Sequence, residues 1–270
     1  MKEGRVFAPR MRPHLLSRLV PLTLLVLIPG CGLFSGSELG DPDYASEAST
    51  NLKRGDQALV SGQYQLAEKY YEYVKTKFPF LEASREAELR LADVSFERQL
   101  WTEAADRYSG FVKLHPTSPK VDYAAYKAAL AHYRDIPGDW FMSPPSSEKD
   151  QTQVKAAWTA YSDFLRAYPE SQYFPEAKKE AADVRDRLIQ HELYVADFYQ
   201  KRDRWAAAVN RLETVVTQYP GPNDDKYLFR LHDLYAKLQD QPKARDALQR
   251  IITRSPGTPA AEKARQMLGS

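Results

Sequence analysis

The sequence predicts an all-α protein, a right-handed α-solenoid of about five helix pairs closed by a C-terminal capping helix. Three observations favour this fold. An alanine, apolar residues and a proline recur at one spacing in five segments, small and aromatic residues recur ahead of most of them, and a polar helical pattern ends the chain. Repetition of this kind is typical of solenoids, because each helix pair buries its apolar face only against its neighbours.

Residues 1–30 have the pattern of a secretory signal. Arg12 and Arg18 supply positive charge ahead of an apolar stretch, residues 15–28. That stretch is too short and too interrupted to span a membrane as a helix. Met11 is an alternative start, since a signal counted from there has a more usual length.

The signal ends in the string IPGC, residues 28–31, which holds the only cysteine of the chain. An aliphatic residue three positions before this cysteine and a small residue directly before it resemble a bacterial lipobox. The resemblance implies that Cys31 is acylated after residues 1–30 are removed. Several acyl chains give stable membrane attachment, and an acylated thiol can neither catalyse nor form a disulfide. Residues 31–49, with Gly, Ser, Asp and Pro, are then expected to be a flexible tether.

The charge of the chain does not favour nucleic acid as a partner. The formal net charge is +2, but residues 1–30 hold five basic residues and one acid, which leaves −2 on the remainder. Charges of both signs are interspersed along that remainder, as on solvated helix faces. Because no disulfide is possible, stability must come from an apolar core, and a chain of this length can bury one.

Five segments predict the second helix of each pair. Their key residues are separated by three, four, three and five positions, and spacings of three and four place residues on one face of a helix. The alanine allows a neighbouring helix to approach, and the proline marks the helix end. The segments are Tyr64-Ala67-Tyr71-Val74-Pro79, Trp101-Ala104-Tyr108-Phe111-Pro116, Val154-Ala157-Tyr161-Phe164-Pro169, Trp205-Ala208-Leu212-Val215-Pro220 and Gln241-Ala244-Leu248-Ile251-Pro256.

A first helix is expected before each of these segments. Two residues spaced three apart mark it in four cases, and residues 121–133 form it in the third pair. The marking residues are Gly55 and Ala58, Ala92 and Ser95, Ala196 and Tyr199, and His232 and Tyr235. The whole pattern resembles the tetratricopeptide repeat. A generic helical bundle is the alternative, but it has no reason to repeat its proline and alanine in register. N-terminal repeats are assigned to residues 50–134, and C-terminal repeats with the cap to residues 151–270.

A long loop is predicted inside the third pair, at residues 135–150, because this segment is rich in proline and serine. Trp140 and Phe141 stand out within it. Two interpretations are open: these side chains fold back onto the solenoid, or they contact a partner, since aromatic residues are enriched at interfaces. After the fifth pair, residues 259–268 form a polar helix that is expected to cap the stack.

No motif in the sequence indicates an enzyme, a cofactor or a metal site. The five histidines are scattered, and the pair His191-Glu192 lacks the second histidine that a zinc-protease motif requires. A glycine-rich phosphate-binding loop is absent from the sequence. The expected activity is therefore binding without chemistry.

Local strings extend the comparison beyond the repeat pattern. They are FPF at residues 78–80, HPTSPKVDYAAY at 115–126, YPESQY at 168–173 and DRLIQHELYVADFYQKRDRWAAAVNRLETVVTQYP at 186–220. Together with the lipobox and the loop in the third pair, they resemble the BamD (YfiO) family. Proteins of this family are lipoproteins of the outer-membrane β-barrel assembly machine.

The resemblance implies a function and a set of contact residues. It implies a scaffold, lipid-anchored on the periplasmic face of the outer membrane, that binds the periplasmic domains of the barrel subunit BamA, other lipoproteins of the machine and unfolded β-barrel proteins. Asn210 and Arg211 fall where the family has an Asn-Arg pair whose arginine contacts BamA. Arg211 is expected to point outward or to the repeat edge, while an ordinary solvated charge is the alternative. Phe80, Trp140 and Phe141 are weaker candidates for contact with substrate or partner.

Two other functions remain open from the sequence. A pilotin-like tetratricopeptide lipoprotein, which assists secretin or pilus assembly, shares the anchor and the repeats but needs neither the loop nor the segment around Arg211. A lipid-anchored envelope enzyme is the third possibility, and it would require a cleft with perturbed titratable groups, for which the sequence offers no candidate.

Overall fold

The computed structural model describes residues 41–138 and 145–269, and it confirms the all-α prediction. Within these residues the chain forms eleven α-helices and one short 3-10 helix, with no strand. The helices are α1 Ala48–Val60, α2 Tyr64–Lys77, α3 Glu82–Glu97, α4 Trp101–Leu114, α5 Val121–Arg134, α6 Thr152–Ala167, α7 Phe174–Gln200, α8 Trp205–Gln218, α9 Asp224–Lys237, α10 Gln241–Arg254 and α11 Pro259–Gly269, and the 3-10 helix is Ser146–Glu148.

The helices stack as a solenoid of five pairs and a cap. Each helix packs mainly on the next one along the chain. First helices of neighbouring pairs also contact each other: α1 contacts α3, and α5 contacts α7. The five predicted alanines are fully buried on the second helices, namely Ala67, Ala104, Ala157, Ala208 and Ala244. The capping helix α11 buries Ala261 and Ala264 on α10, so the fifth pair does not end in an open apolar face.

Close packing explains the glycine of the first pair. A Cβ atom added to Gly55 would lie 2.6 Å from Cε1 of Tyr71, a fully buried ring on α2. Any side chain at this position would force the ring to move. The small residue that marks the first helix is therefore required by the neighbouring helix.

The turn inside four of the five pairs has one conformation. The residue two positions before the second helix has a positive φ: 71° at Gly62, 59° at Gln99, 56° at Asp203 and 60° at Gln239. The next backbone N–H then reaches back to a carbonyl five residues earlier, as from Gln63 to Ala58 at 2.8 Å. This is the Schellman arrangement that closes a helix C-terminus. The acceptors are Ala58, Ser95, Tyr199 and Tyr235, the same residues that mark the first helices in the sequence.

The fourth pair begins with an unusually long helix, α7, which follows the third pair. Helix α7 has 27 residues, whereas α5, the first helix of the third pair, has 14. At 1.5 Å per residue, α7 is longer than α5 by roughly 20 Å. The 3-10 helix at residues 146–148, near the end of the predicted loop, packs against α7. The length of α7 was not anticipated from the repeat pattern.

The chain that leads into the first pair is held against it. Asn51 on α1 is fully buried, and its side-chain amide exchanges hydrogen bonds of 2.9 Å with the backbone N–H and carbonyl of Ala45. Tyr44 stacks on Tyr73 of α2, with ring centroids 3.9 Å apart. Residues 44–47, assigned to the tether by sequence, thus lie on the first helix pair. Cys31 lies outside the described residues.

Candidate partner-binding surfaces

Phe80 lies in the turn between α2 and α3 and is 98% exposed. Leu114 is also exposed, where α4 ends and the corresponding turn of the second pair begins. The neighbouring Leu81 is 50% exposed, so the two side chains together present apolar surface to solvent. The structure therefore leaves the Phe80 ring available to a partner.

Trp140 and Phe141 lie outside the described residues, but the ends of their loop are anchored. Lys149 Nζ donates a hydrogen bond of 3.1 Å to the carbonyl of Gly138, which joins the two ends of the loop. His191 Nδ1 on α7 donates to the carbonyl of Ser147 at 2.7 Å. A hydrogen bond from Tyr194 to the Glu148 carboxylate raises the pKa of that phenol. The contacts with His191 and Tyr194 hold residues 147 and 148 against α7.

Asn210 and Arg211 lie on α8, but they differ in environment. Asn210 is exposed, while the Arg211 side chain is 41% exposed and its Nη1 donates to Glu192 Oε2 at 3.2 Å. Glu192 lies on α7, and only 5% of its side chain is exposed. Arg211 thus bonds to the other helix of its pair, while part of its side chain remains exposed to solvent.

This ion pair changes the expected effect of charge reversal at Arg211. A side chain that points outward or to the repeat edge, as the sequence predicts for Arg211, would allow Arg211→Glu without loss of the solenoid. In the structure the substitution would set a second carboxylate beside the buried Glu192. Breaking a buried pair is strongly destabilising, since one charge is left without its partner. Neutral substitutions at Arg211 are the better probes, because they add no second carboxylate; since Glu192 still loses its partner, each variant is checked by a thermal melt.

Two arginines of α10, Arg250 and Arg254, link the fifth helix pair to the fourth. Arg250 Nη1 contacts both carboxylate oxygens of Glu213, at 2.9 and 3.0 Å. Arg254 Nη1 donates to Asp224 at 2.9 Å and to the carbonyl of Val216 at 3.0 Å. These arginines stabilise the stacking of α10 on α8 and α9. Arg211, by contrast, contacts Glu192 within its own helix pair.

A groove that sequence reasoning missed lies between α4 and α6, above α5. It has a volume of about 520 Å³, and alanines form much of its lining, including Ala125 and Ala128 on its floor. His132 also lines it, and burial lowers the pKa of this imidazole. The alanines are visible in the sequence, but the absence of a large side chain bridging α4 and α6 is a property of the packing.

The described part of the chain shows no candidate metal site. Its His, Cys, Asp and Glu side chains form no cluster that could hold a metal ion. Nor does the described region include a helix with the length and apolar character needed to cross a bilayer.

Comparison with known proteins identifies the family. The family model YfiO, described as outer membrane lipoprotein, matches residues 45–251, well over half of the chain. The chain belongs to the YfiO family. The match includes Phe80, Asn210 and Arg211, and Cys31 precedes it. Membership of a lipoprotein family of assembly factors agrees with the prediction of a scaffold that is not an enzyme.

Relatives of this YfiO-family chain are named outer membrane protein assembly factor BamD. The Haemophilus influenzae protein is 28% identical over 235 residues, which cover 84% of this chain and 88% of that protein. The Vibrio cholerae protein is 28% identical over 215 residues, covering 78% and 85%. The Neisseria gonorrhoeae protein is 26% identical over 204 residues, covering 74% and 76%.

Solved structures resemble the YfiO-family chain less closely. A thermophilic TPR protein of Thermus thermophilus has a TM-score of 0.34 and 16% identity, covering 83% of this chain and all of that one. Pseudomonas aeruginosa pilF has a TM-score of 0.35 and 11% identity, covering 82% of each chain. At these scores neither likeness bears on function, and we base the fold on the helix pairs themselves.

Proposed function

We propose that this chain is a lipid-anchored periplasmic scaffold of the outer-membrane β-barrel assembly complex. The observation that carries the proposal is the YfiO family match over residues 45–251. Relatives that cover most of the chain are named outer membrane protein assembly factors, which supports the same role here. Acylated Cys31 would hold the scaffold at the periplasmic face of the outer membrane.

The solenoid would bind different partners at its two ends. A stack of helix pairs offers an extended surface suited to polypeptides and to partner domains. The N-terminal pairs would meet unfolded β-barrel proteins, with Phe80 as an exposed apolar contact. The C-terminal pairs would dock the periplasmic domains of BamA through Asn210 and Arg211. Trp140 and Phe141 would contribute a further contact, to substrate or to another lipoprotein of the complex.

Arg211 suits a carboxylate on the partner. A guanidinium presents five N–H donors in a planar fork that matches carboxylate geometry. One nitrogen of Arg211 faces Glu192, and the side chain remains 41% exposed at the surface of α8. A charge pair that becomes desolvated on docking contributes to affinity, whereas a pair at the rim contributes little.

Affinity purification from detergent-solubilised envelopes tests the proposed function. The mature chain, tagged at its C-terminus, is expected to co-purify BamA and further assembly lipoproteins. When a neutral variant of Arg211 is compared in the same purification, Lys201→Ala is a suitable control. Lys201 is exposed directly after α7 and carries the same charge as Arg211. Recovery of a secretin in place of BamA would contradict the proposal and favour the pilotin-like function.

A further inference from the structure

Glu192 is a buried acid whose ion pair with Arg211 lies within the fourth helix pair. It lies on α7, faces α8 within the same pair, and keeps 5% of its side chain exposed. A carboxylate removed from water is costly unless it is paired. Its pairing cation is Arg211, at 3.2 Å. Replacing such a pair with well-packed apolar residues is often neutral or stabilising, so stability alone is a weak reason for an ion pair here.

The exposure of the two partners is unequal, and this asymmetry suggests a role in recognition. Glu192 is 5% exposed and Arg211 is 41% exposed, so the pair has one inner and one outer end. A hydrogen bond at the inner end restricts the rotamers of a long side chain that is otherwise free to adopt many. A guanidinium restrained before docking loses less entropy when it binds.

We infer that Glu192 is a positioning residue: it holds the Arg211 guanidinium from below, so that the remaining N–H donors face a carboxylate of the docking partner. The inference rests on the proposed function, in which Arg211 contacts BamA. It adds a residue that touches no partner itself and acts through Arg211. The partner group that fits is a carboxylate, because the guanidinium is positively charged and its planar fork matches carboxylate geometry.

The charge of Glu192 also keeps the arginine in place. Burial reduces screening by solvent, so the attraction between the two side chains is stronger than that of an exposed pair. Glu192→Gln removes this charge but retains the size of the side chain and an oxygen that can accept a hydrogen bond. The variant therefore tests positioning by charge without opening a cavity.

A double-mutant cycle on docking to the purified periplasmic domains of BamA tests this inference. The mature chain is compared with Glu192→Gln, Arg211→Ala and the double variant. We expect Glu192→Gln to weaken binding by about tenfold, a coupling of ordinary size for residues in contact. Arg211→Ala should weaken binding further. The double variant should bind like Arg211→Ala, since Glu192 acts only through the arginine.

Separate outcomes identify separate failures. Unchanged binding by Arg211→Ala would remove Arg211 from the interface, which is a failure of the proposed contact. If Arg211→Ala weakens binding but Glu192→Gln does not, the inference is wrong and the contact stands. The inference is also wrong if the losses of the two single variants add in the double variant, because Glu192 would then act independently of Arg211.

Two controls exclude a merely structural effect. Asp197→Asn removes another acid of α7 that pairs with an arginine, Arg230, and it should leave docking unchanged. Thermal melts of every variant show whether the fold is intact. If Glu192→Gln lowers the melting temperature, Glu192→Asp replaces it, since this change keeps the charge and shortens its reach. A loss of binding by Glu192→Asp that persists without Arg211 would overturn the inference.

Discussion

Three buried tyrosines show how single residues join the two helices of a pair or two neighbouring pairs. Tyr71 donates to Asp56 at 2.8 Å, Tyr108 to Asp93 at 2.6 Å and Tyr161 to Glu180 at 2.8 Å. Each tyrosine lies on a second helix and each acid on a first helix. Burial, followed by the neighbouring acid, raises the pKa of all three phenols, so they remain donors at neutral pH.

Removing the hydroxyl should cost most where the acceptor is buried. Tyr108→Phe is expected to lower the free energy of unfolding by about 1–3 kcal/mol, because Asp93, 8% exposed, cannot replace this donor with water, although Tyr123 and Arg90 still donate to it. Tyr71→Phe is the matched control: its acceptor Asp56 is 45% exposed, and the expected loss is below about 1 kcal/mol. Urea denaturation of both variants measures the difference. Equal losses would show that acceptor exposure does not set the cost.

The turn that closes the first helix in four of the five pairs allows a test of backbone conformation. Gln239 has a φ of 60°, a region that glycine tolerates and other residues enter at a cost. Gln239→Gly should therefore raise the free energy of unfolding, by less than about 1 kcal/mol, since the flexible unfolded chain offsets part of the gain.

The reverse change at the equivalent turn supplies the control. Gly62 has a φ of 71°, and no neighbouring atom lies near an added Cβ, so Gly62→Ala adds backbone strain without a clash. A loss of about 1 kcal/mol is expected in thermal or urea unfolding. The explanation by backbone conformation would fail if the two substitutions changed stability in the same direction.

The molecule is expected to sit close to its membrane. Twelve residues lie between Cys31 and Tyr44, a distance of thirteen residue steps, and the Tyr44 ring is stacked on the first helix pair. An extended chain spans at most about 3.3–3.6 Å per residue, so the first pair would lie within roughly 45 Å of the anchored cysteine. The anchor would therefore limit the volume in which the scaffold meets its partners.

Acylation of Cys31 is tested by its removal. Cys31→Ala is expected to leave an unprocessed or unanchored protein, because the lipobox-like string loses the residue that carries the acyl chains. Membrane fractionation should then find less of the chain with the outer membrane, and mass spectrometry of the wild-type chain should show an acylated N-terminus at residue 31. A free Cys31 thiol on an intact N-terminus would refute the anchor.

The five second helices and the cap could be predicted because their signals are local. Alanine, proline and apolar residues a few positions apart define one helix face and its end, and neighbouring sequence alone carries that information. The Schellman turns were only half visible. Gly62 suggests a left-handed residue, while Gln99, Asp203 and Gln239 adopt the same conformation because the packed helices on either side impose it.

The environment of Arg211 could not be predicted in the same way. Its position on α8 follows from helical spacing, but Glu192 lies 19 residues earlier on α7. Whether the two side chains meet depends on how far α7 extends and how α8 packs against it. Those features follow from the burial of apolar faces between helices, a collective property that no short stretch of sequence encodes. Spacing therefore located the arginine, and the packing of two helices determined that it has a buried partner.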